Sequence, residues 1–323
     1  VSPERFSRSS RIGFGCASLG SRVGAKVGLA ALNRAFDSGI NWFDLAPSYG
    51  DGLAESIFSN FSRDRRPDIY ISTKFGISPP QINVVTSALK PITRGIIKYT
   101  PSLRDAVAKV RPRAIKNHFT SDSIMEGIEQ SLRRLHTDYV DVLALHDPSP
   151  QDLERDDLRI ALKNILASGK ARAIGIAGSL EAATSALRLD LPIDYVQVAN
   201  NPLAPQVDPL AASMTAIGKK CHVITHSSFD GIQHIARFIE LDPEVKALML
   251  RHYNLPFEHS IRAALVDYSL LTNHSGIVLF SMFSQKNLEF NLRRLNSTPR
   301  LDIKSAFEIW RAKIAIGRDS ARR

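Results

Sequence analysis

Cysteine is nearly missing from this 323-residue chain. Cys16 and Cys221 are the two present, too few for a disulfide framework and without the paired spacing of a metal site. Free thiols and no bound metal are therefore expected. Long apolar runs are missing too: the longest, such as Val142 to Leu145 and Ile277 to Phe280, are strand-length, far short of the roughly 20 residues that span a bilayer. No membrane partner is expected. Val1 to Ser10 carry charge and serine but not the apolar core of about 7–15 residues that marks a secretory leader, which points to a cytoplasmic protein. Neither a G-x-G-x-x-G turn after a strand nor a Walker motif is present, which argues against a Rossmann or P-loop domain.

Acidic charge is in deficit, with 32 Asp and Glu against 42 Lys and Arg, for a net charge of +10. Much of the excess is one segment: Lys90 to Lys116 holds eight basic residues and a single acid, Asp105. Nucleic acid would be an obvious partner for such a run, but Tyr99 is almost its only aromatic, and stacking platforms need several. No nucleic acid is expected. A lid closing on an anionic small molecule accounts for the same charge.

What is present is alternation. Eight short β-rich runs, 11–16, 41–45, 69–74, 139–145, 173–177, 195–199, 222–226 and 276–280, are separated by amphipathic stretches of helical period at 27–37, 52–61, 121–135, 151–167, 180–187, 209–218, 259–271 and 284–295. This βα repeat signals a parallel sheet, and eight strands close a barrel. The expected fold is α/β, a (β/α)8 TIM barrel with long loops after strands 3 (77–119) and 7 (231–258). Both loops are expected to lie over the binding face. Residues 1–10 read as an N-terminal arm, 11–298 as one barrel domain and 299–323 as a tail with a helix at 304–316. A monomer or weak homo-oligomer is expected.

Side chains at the C-terminal ends of barrel strands point into a shared mouth. Four polar residues stand at or just past such ends: Asp44, Tyr49, Lys74 and His146. Singly, each has an ordinary structural explanation. Together, on strands two, three and four, they read as a catalytic group. The segments that carry them, Gly39-Ile40-Asn41-Trp42-Phe43-Asp44-Leu45-Ala46-Pro47-Ser48-Tyr49-Gly50, Ser72-Thr73-Lys74 and Leu145-His146-Asp147-Pro148, resemble the aldo-keto reductases. The likeness runs from about Arg11 to Asn291 and includes Ser131-Leu132-Arg133-Arg134-Leu135. Gly52-Leu53-Ala54-Glu55 resembles the subgroup of aldose and galactose dehydrogenases.

The resemblance implies an NAD(P)-dependent oxidoreductase that moves a hydride between nicotinamide and a small carbonyl or sugar substrate. Tyr49 is its general acid or base: a free phenol ionises near pH 10, and an ammonium at Lys74, paired with Asp44, is expected to lower that value. His146 is expected to hydrogen-bond the substrate oxygen. The cofactor, NADP(H) or NAD(H), is implied to lie along Gln197, which would bind the carboxamide, then His226, Ser227 and Phe229, and finally Ser281, Ser284, Asn287 and Asn291 at the adenine end. The family's stacking tyrosine is His226 here. Its Ser-Asn pair is missing from Gly175-Ile176-Ala177-Gly178-Ser179, and its phosphate-reading lysine and arginine are Ser281 and Asn287. Lys286 and Arg294 are left as charge for a 2′-phosphate, so only a several-fold NADP preference is expected. These departures leave an alternative, a cofactor-binding barrel with little turnover that acts as a redox sensor or subunit.

Overall fold

The computed structural model describes residues 6–79, 115–116, 118–297 and 301–320; the side chains of 115–116, 301–302 and 313–320 are outside the description. Eight parallel strands close a barrel: β1 (Ile12–Gly15), β2 (Trp42–Asp44), β3 (Tyr70–Phe75), β4 (Val140–His146), β5 (Ala171–Ala177), β6 (Tyr195–Ala199), β7 (His222–His226) and β8 (Ile277–Phe280), each paired with its sequence neighbours and β8 with β1. All eight strand positions read from the sequence are therefore met. Around them run α1 (Ala25–Asp37), α2 (Ala54–Ser62), α3 (Ser121–Leu135), α4 (Asp156–Ala167), α5 (Leu180–Arg188), α6 (Val207–Ile217), α7 (Ile232–Glu240), α8 (Pro243–Tyr253), α9 (Phe257–Thr272), α10 (Gln285–Leu295) and α11 (Leu301–Ser320).

Strand parity sorts the side chains into two cores. Outward residues such as Phe14, Phe43, Ile71, Leu143, Ile174 and Val196 pack under the helices. Inward residues stack within the barrel, where Phe6 plugs the lower end with its ring 4.9 Å from Tyr195 and 5.9 Å from Trp42. A Cβ at Gly13 would stand 2.6 Å from Leu279 and 2.9 Å from Trp42, so the missing side chain on β1 makes room for the indole. The same parity points Asp44, Lys74, His146 and Gln197 inward in the upper part of their strands.

Helix boundaries follow local chemistry. Thr120 caps α3 in a reciprocal box with Ser123, and Ile124, Ile128 and Leu135 form its buried face. The stretch 151–167 is two helices, not one. A single turn, Pro150–Leu153, is capped by Ser149 and Asp152, and the chain extends at Arg155 before α4. Buried Leu153 and Leu158 are five residues apart, a step that one helical face cannot accommodate. The helix expected from Gly52 starts at Ala54, because Gly50, Asp51 and Gly52 all have left-handed backbone.

The loop 231–258 departs from expectation. It forms α7 and α8, whose Ile235, Ile239, Val245 and Met249 pack with Ile261, Leu265 and Tyr268 of α9 and with Phe307 and Trp310 of α11. That apolar seam holds the insertion against α9 and α11, and none of residues 231–258 lines the cavity at the upper ends of the strands. Of the loop 77–119, Ile77–Ser78 pairs antiparallel with Ile115–Lys116, and the rest of the proposed basic lid lies mostly outside the described residues. Among the described residues, no helix is long and apolar enough to cross a membrane.

Candidate active site

At the upper ends of the strands a cavity of about 770 Å³ is lined by Asp44, Tyr49, Lys74, His146, Gln197 and His226, among others. Its wall follows the sheet register: Gly15 beside Asp44, His146 beside Ala177, Ala177 beside Gln197 and Ala199 beside His226.

The four residues expected to act together do meet. Lys74, 2% exposed, donates to both carboxylate oxygens of Asp44 at 2.7 Å and to the Leu45 carbonyl at 2.9 Å. Its Nζ lies 4.6 Å from the Tyr49 ring centre, and the Tyr49 hydroxyl reaches Asp44 Oδ2 at 3.5 Å. The His146 ring stands edge-on to Tyr49, 6.2 Å between centres. Tyr49 itself rides on a tight turn: at Gly50, φ +62°, a Cβ would stand 1.7 Å from the Leu19 carbonyl oxygen. Any side chain there would push the turn, and Tyr49 with it, off the β1–α1 loop.

Electrostatics differ in one respect from the sequence reading. Burial raises the Tyr49 pKa, and Lys74 only partly offsets it, so the phenol ends above its ordinary value and not below. The Lys74 ammonium is pulled down by burial but held up by Asp44 and Tyr49, with a net rise. Burial, with help from Lys74 and His226, drives His146 down to about 3, so its imidazole is neutral at physiological pH. His226 is lowered as well, chiefly by burial.

Sequence reasoning gave no structural role to Glu55. This carboxylate, 1% exposed on α2, accepts from Thr73 Oγ1 at 2.6 Å and from Arg134 Nε at 2.7 Å. It ties the helix that follows the Tyr49 turn to the residue before Lys74 and to α3. Arg22, Asp147 and Asp230 also line the cavity unforeseen. Asp147 and Ser227 carry left-handed backbone, φ +54° and +62°, strain of a kind that gathers at functional sites.

The expected cofactor residues divide into two groups. Gln197, His226, Ser227 and Ser281 line the cavity, whereas Phe229, Ser284, Asn287 and Asn291 do not. Three buried polar atoms near the mouth have no partner: His146 Nδ1, Gln197 Oε1 and Ser228 Oγ. Such atoms call for a ligand or water. His226 Nδ1 and Ser227 Oγ are 3.0 Å apart, and Phe229 packs 5.9 Å from Phe280. Ser284 caps α10 by accepting from the Asn287 amide, and Asn291 is buried. Arg294 is not available for a phosphate. Its guanidinium forks onto the buried Asp267 carboxylate, with the Nε contact at 2.8 Å.

The family model described as "Aldo/keto reductase family" matches residues 11–226. Among curated relatives, a D-threo-aldose 1-dehydrogenase from Pseudomonas sp is 31% identical over 220 residues, 62% of this chain and 61% of that protein. An L-galactose dehydrogenase from Arabidopsis thaliana is 28% identical over 177 residues, 52% of this chain and 44% of that protein. The matches thus span about half the length of these relatives. An aldo-keto reductase from Klebsiella pneumoniae, solved in complex with NADPH, shares the fold with a TM-score of 0.66 and 18% identity over 93% of this chain and 90% of that one.

Proposed function

This chain belongs to the aldo/keto reductase family, and from that premise we propose that it is an NAD(P)-dependent oxidoreductase in which Tyr49 exchanges the proton as a carbonyl and an alcohol interconvert. The observation that carries the reading is the buried Asp44–Lys74 pair, closed on both carboxylate oxygens and set against the face of Tyr49.

The residues around the mouth suit a nicotinamide dinucleotide. Gln197 would hold the carboxamide through its unpartnered oxygen, Ser227 and Ser228 the pyrophosphate, and the β8–α10 segment the adenosine. When bound, the cofactor would supply the hydride that the substrate carbon takes up. As the substrate oxygen takes on negative charge, the Tyr49 hydroxyl gives it a proton, and the ammonium of Lys74 stabilises the phenolate left behind. Asp44 keeps Lys74 in place and charged. Neutral His146 donates an N–H to the same oxygen and orients it. In the oxidative direction the phenolate takes the proton back. The phenol is protonated at neutral pH even at its ordinary pKa of 10.0, and burial raises that value further, so the resting site is armed for reduction.

A sugar or other polyhydroxylated substrate fits the polar wall formed by Arg22, Asp147 and Asp230, and the D-threo-aldose dehydrogenase among the relatives points the same way. The assembled tetrad favours turnover over a purely sensory barrel. Tyr49→Phe keeps the ring and removes the proton: kcat with an aldehyde and aldose panel should fall roughly 10²–10⁴-fold, with the Kd for reduced cofactor changed less than about threefold. Retained turnover would remove Tyr49 from the mechanism.

A further inference from the structure

Arg262 stands in the second turn of α9. Just past the far end of that helix, Asn273 bonds to Val223 and Ile277 at the lower ends of β7 and β8. Arg262 is therefore at the end nearest the mouth. Its guanidinium lies 5.6 Å from the Phe229 ring centre and 5.7 Å from that of Phe290, and donates to Asn287 Oδ1 at 3.2 Å.

The nearest acid along the helix is Glu258, exposed one turn before Arg262 and in no ion pair with it among the described residues. Among the described residues Arg262 forms no ion pair, while Asp267, the buried acid on the same helix, is taken by Arg294. The first turn of α10 has no acid and adds exposed Lys286. Glu289, one turn on, accepts from Gln285 at 2.7 Å. A cation whose rotamer is fixed by two rings and a neutral amide is pre-organised for an anion, and a guanidinium suits a phosphate in particular.

We propose that Arg262 binds the 2′-phosphate of NADP(H) and thereby gives this chain its choice between the two nicotinamide dinucleotides. The inference rests on the cofactor reading above, in which Gln197 and the tetrad fix the nicotinamide end and the adenosine reaches past Ser281 to α10. Ser281 and Asn287 are neutral, so the discriminating charge comes from a different helix, and Asn287 acts by holding Arg262.

The test is fluorescence titration of the full chain with NADPH and NADH at low and high salt, for the unaltered protein, Arg262→Met and Arg262→Lys. One charge-assisted contact implies that the unaltered protein binds NADPH about tenfold to a hundredfold more tightly than NADH. Arg262→Met, which keeps an unbranched apolar stem and removes the charge, should abolish that preference by weakening NADPH alone. Arg262→Lys should keep part of it and its salt sensitivity. The lysine variant still decides the matter if the methionine variant fails to fold, since a preference equal to the parent's in Arg262→Lys, independent of salt, would overturn the assignment. So would equal affinities in the parent, or a preference that survives Arg262→Met. Binding of neither dinucleotide to the parent would overturn the proposed function, and this role with it.

Discussion

The two sides of the barrel mouth are built on opposite principles. On the β2–β4 side, Asp44, Lys74 and Glu55 are charged groups at most 3% exposed, each closed onto partners at 2.6–2.9 Å. On the β8–α10 side, Ser281, Ser284 and Lys286 are exposed, and the capping contacts are neutral. Buried charges dictate one another's identity, because removing one leaves the other stranded in a low dielectric. An exposed cap can be swapped for another at little cost. Chemistry is thus fixed on one side of the mouth, while cofactor choice is open to adjustment on the other.

The sharpest way to break this contrast is Lys74→Met, which strands the Asp44 carboxylate. Stability should fall by about 3–5 kcal/mol, measured by denaturant unfolding, together with a loss of activity of at least the Tyr49→Phe size. Adding Asp44→Asn should restore much of the stability and none of the activity; a double variant as unstable as the single one would mean that the pair is not the source of the coupling.

A smaller effect concerns acid. His146 is held neutral, with its folded pKa lowered from 6.5 to about 3, so between those values the unfolded chain binds a proton that the folded one does not. Stability is then intact above about pH 6.5 and is lost as pH falls toward 3. His146→Gln should lose less stability than the parent between pH 7 and 4.5, read by thermal melts at both. Equal losses would mean that the imidazole is protonated in the folded protein.

Least affected should be Lys286→Ala, at an exposed position. Screening limits its share to less than about threefold in the NADPH Kd, whereas a tenfold loss would move the phosphate site from Arg262 to the start of α10.

The same contrast governs how far the sequence could be read. Eight strands were legible because each is a short β-rich run, buried on both faces, set off by amphipathic stretches of helical period. The tetrad was legible because residues at strand ends share one mouth whatever their separation in the chain. The helical break at Arg155 was missed because amphipathic period looks continuous across it. The packing of α7 and α8 was missed because an apolar face does not say which surface it will cover, and here α9 and α11 take it. Glu55 and Arg262 could not be assigned roles, since their partners are 18 to 79 residues away for the first and 25 for the second. The rise in the Tyr49 pKa ran against expectation because desolvation depends on packing that no motif states.

Tyr49 as the proton exchanger is tested most directly by the pH dependence of kcat in both directions on the unaltered enzyme. A phenol held above its ordinary pKa of 10.0 predicts a rate of reduction that is level from about pH 6 to 9 and a rate of oxidation that climbs with pH across the same interval without reaching a plateau. A reduction rate that falls away near pH 6–7, with oxidation levelling off there, would assign the proton to an imidazole and contradict the account.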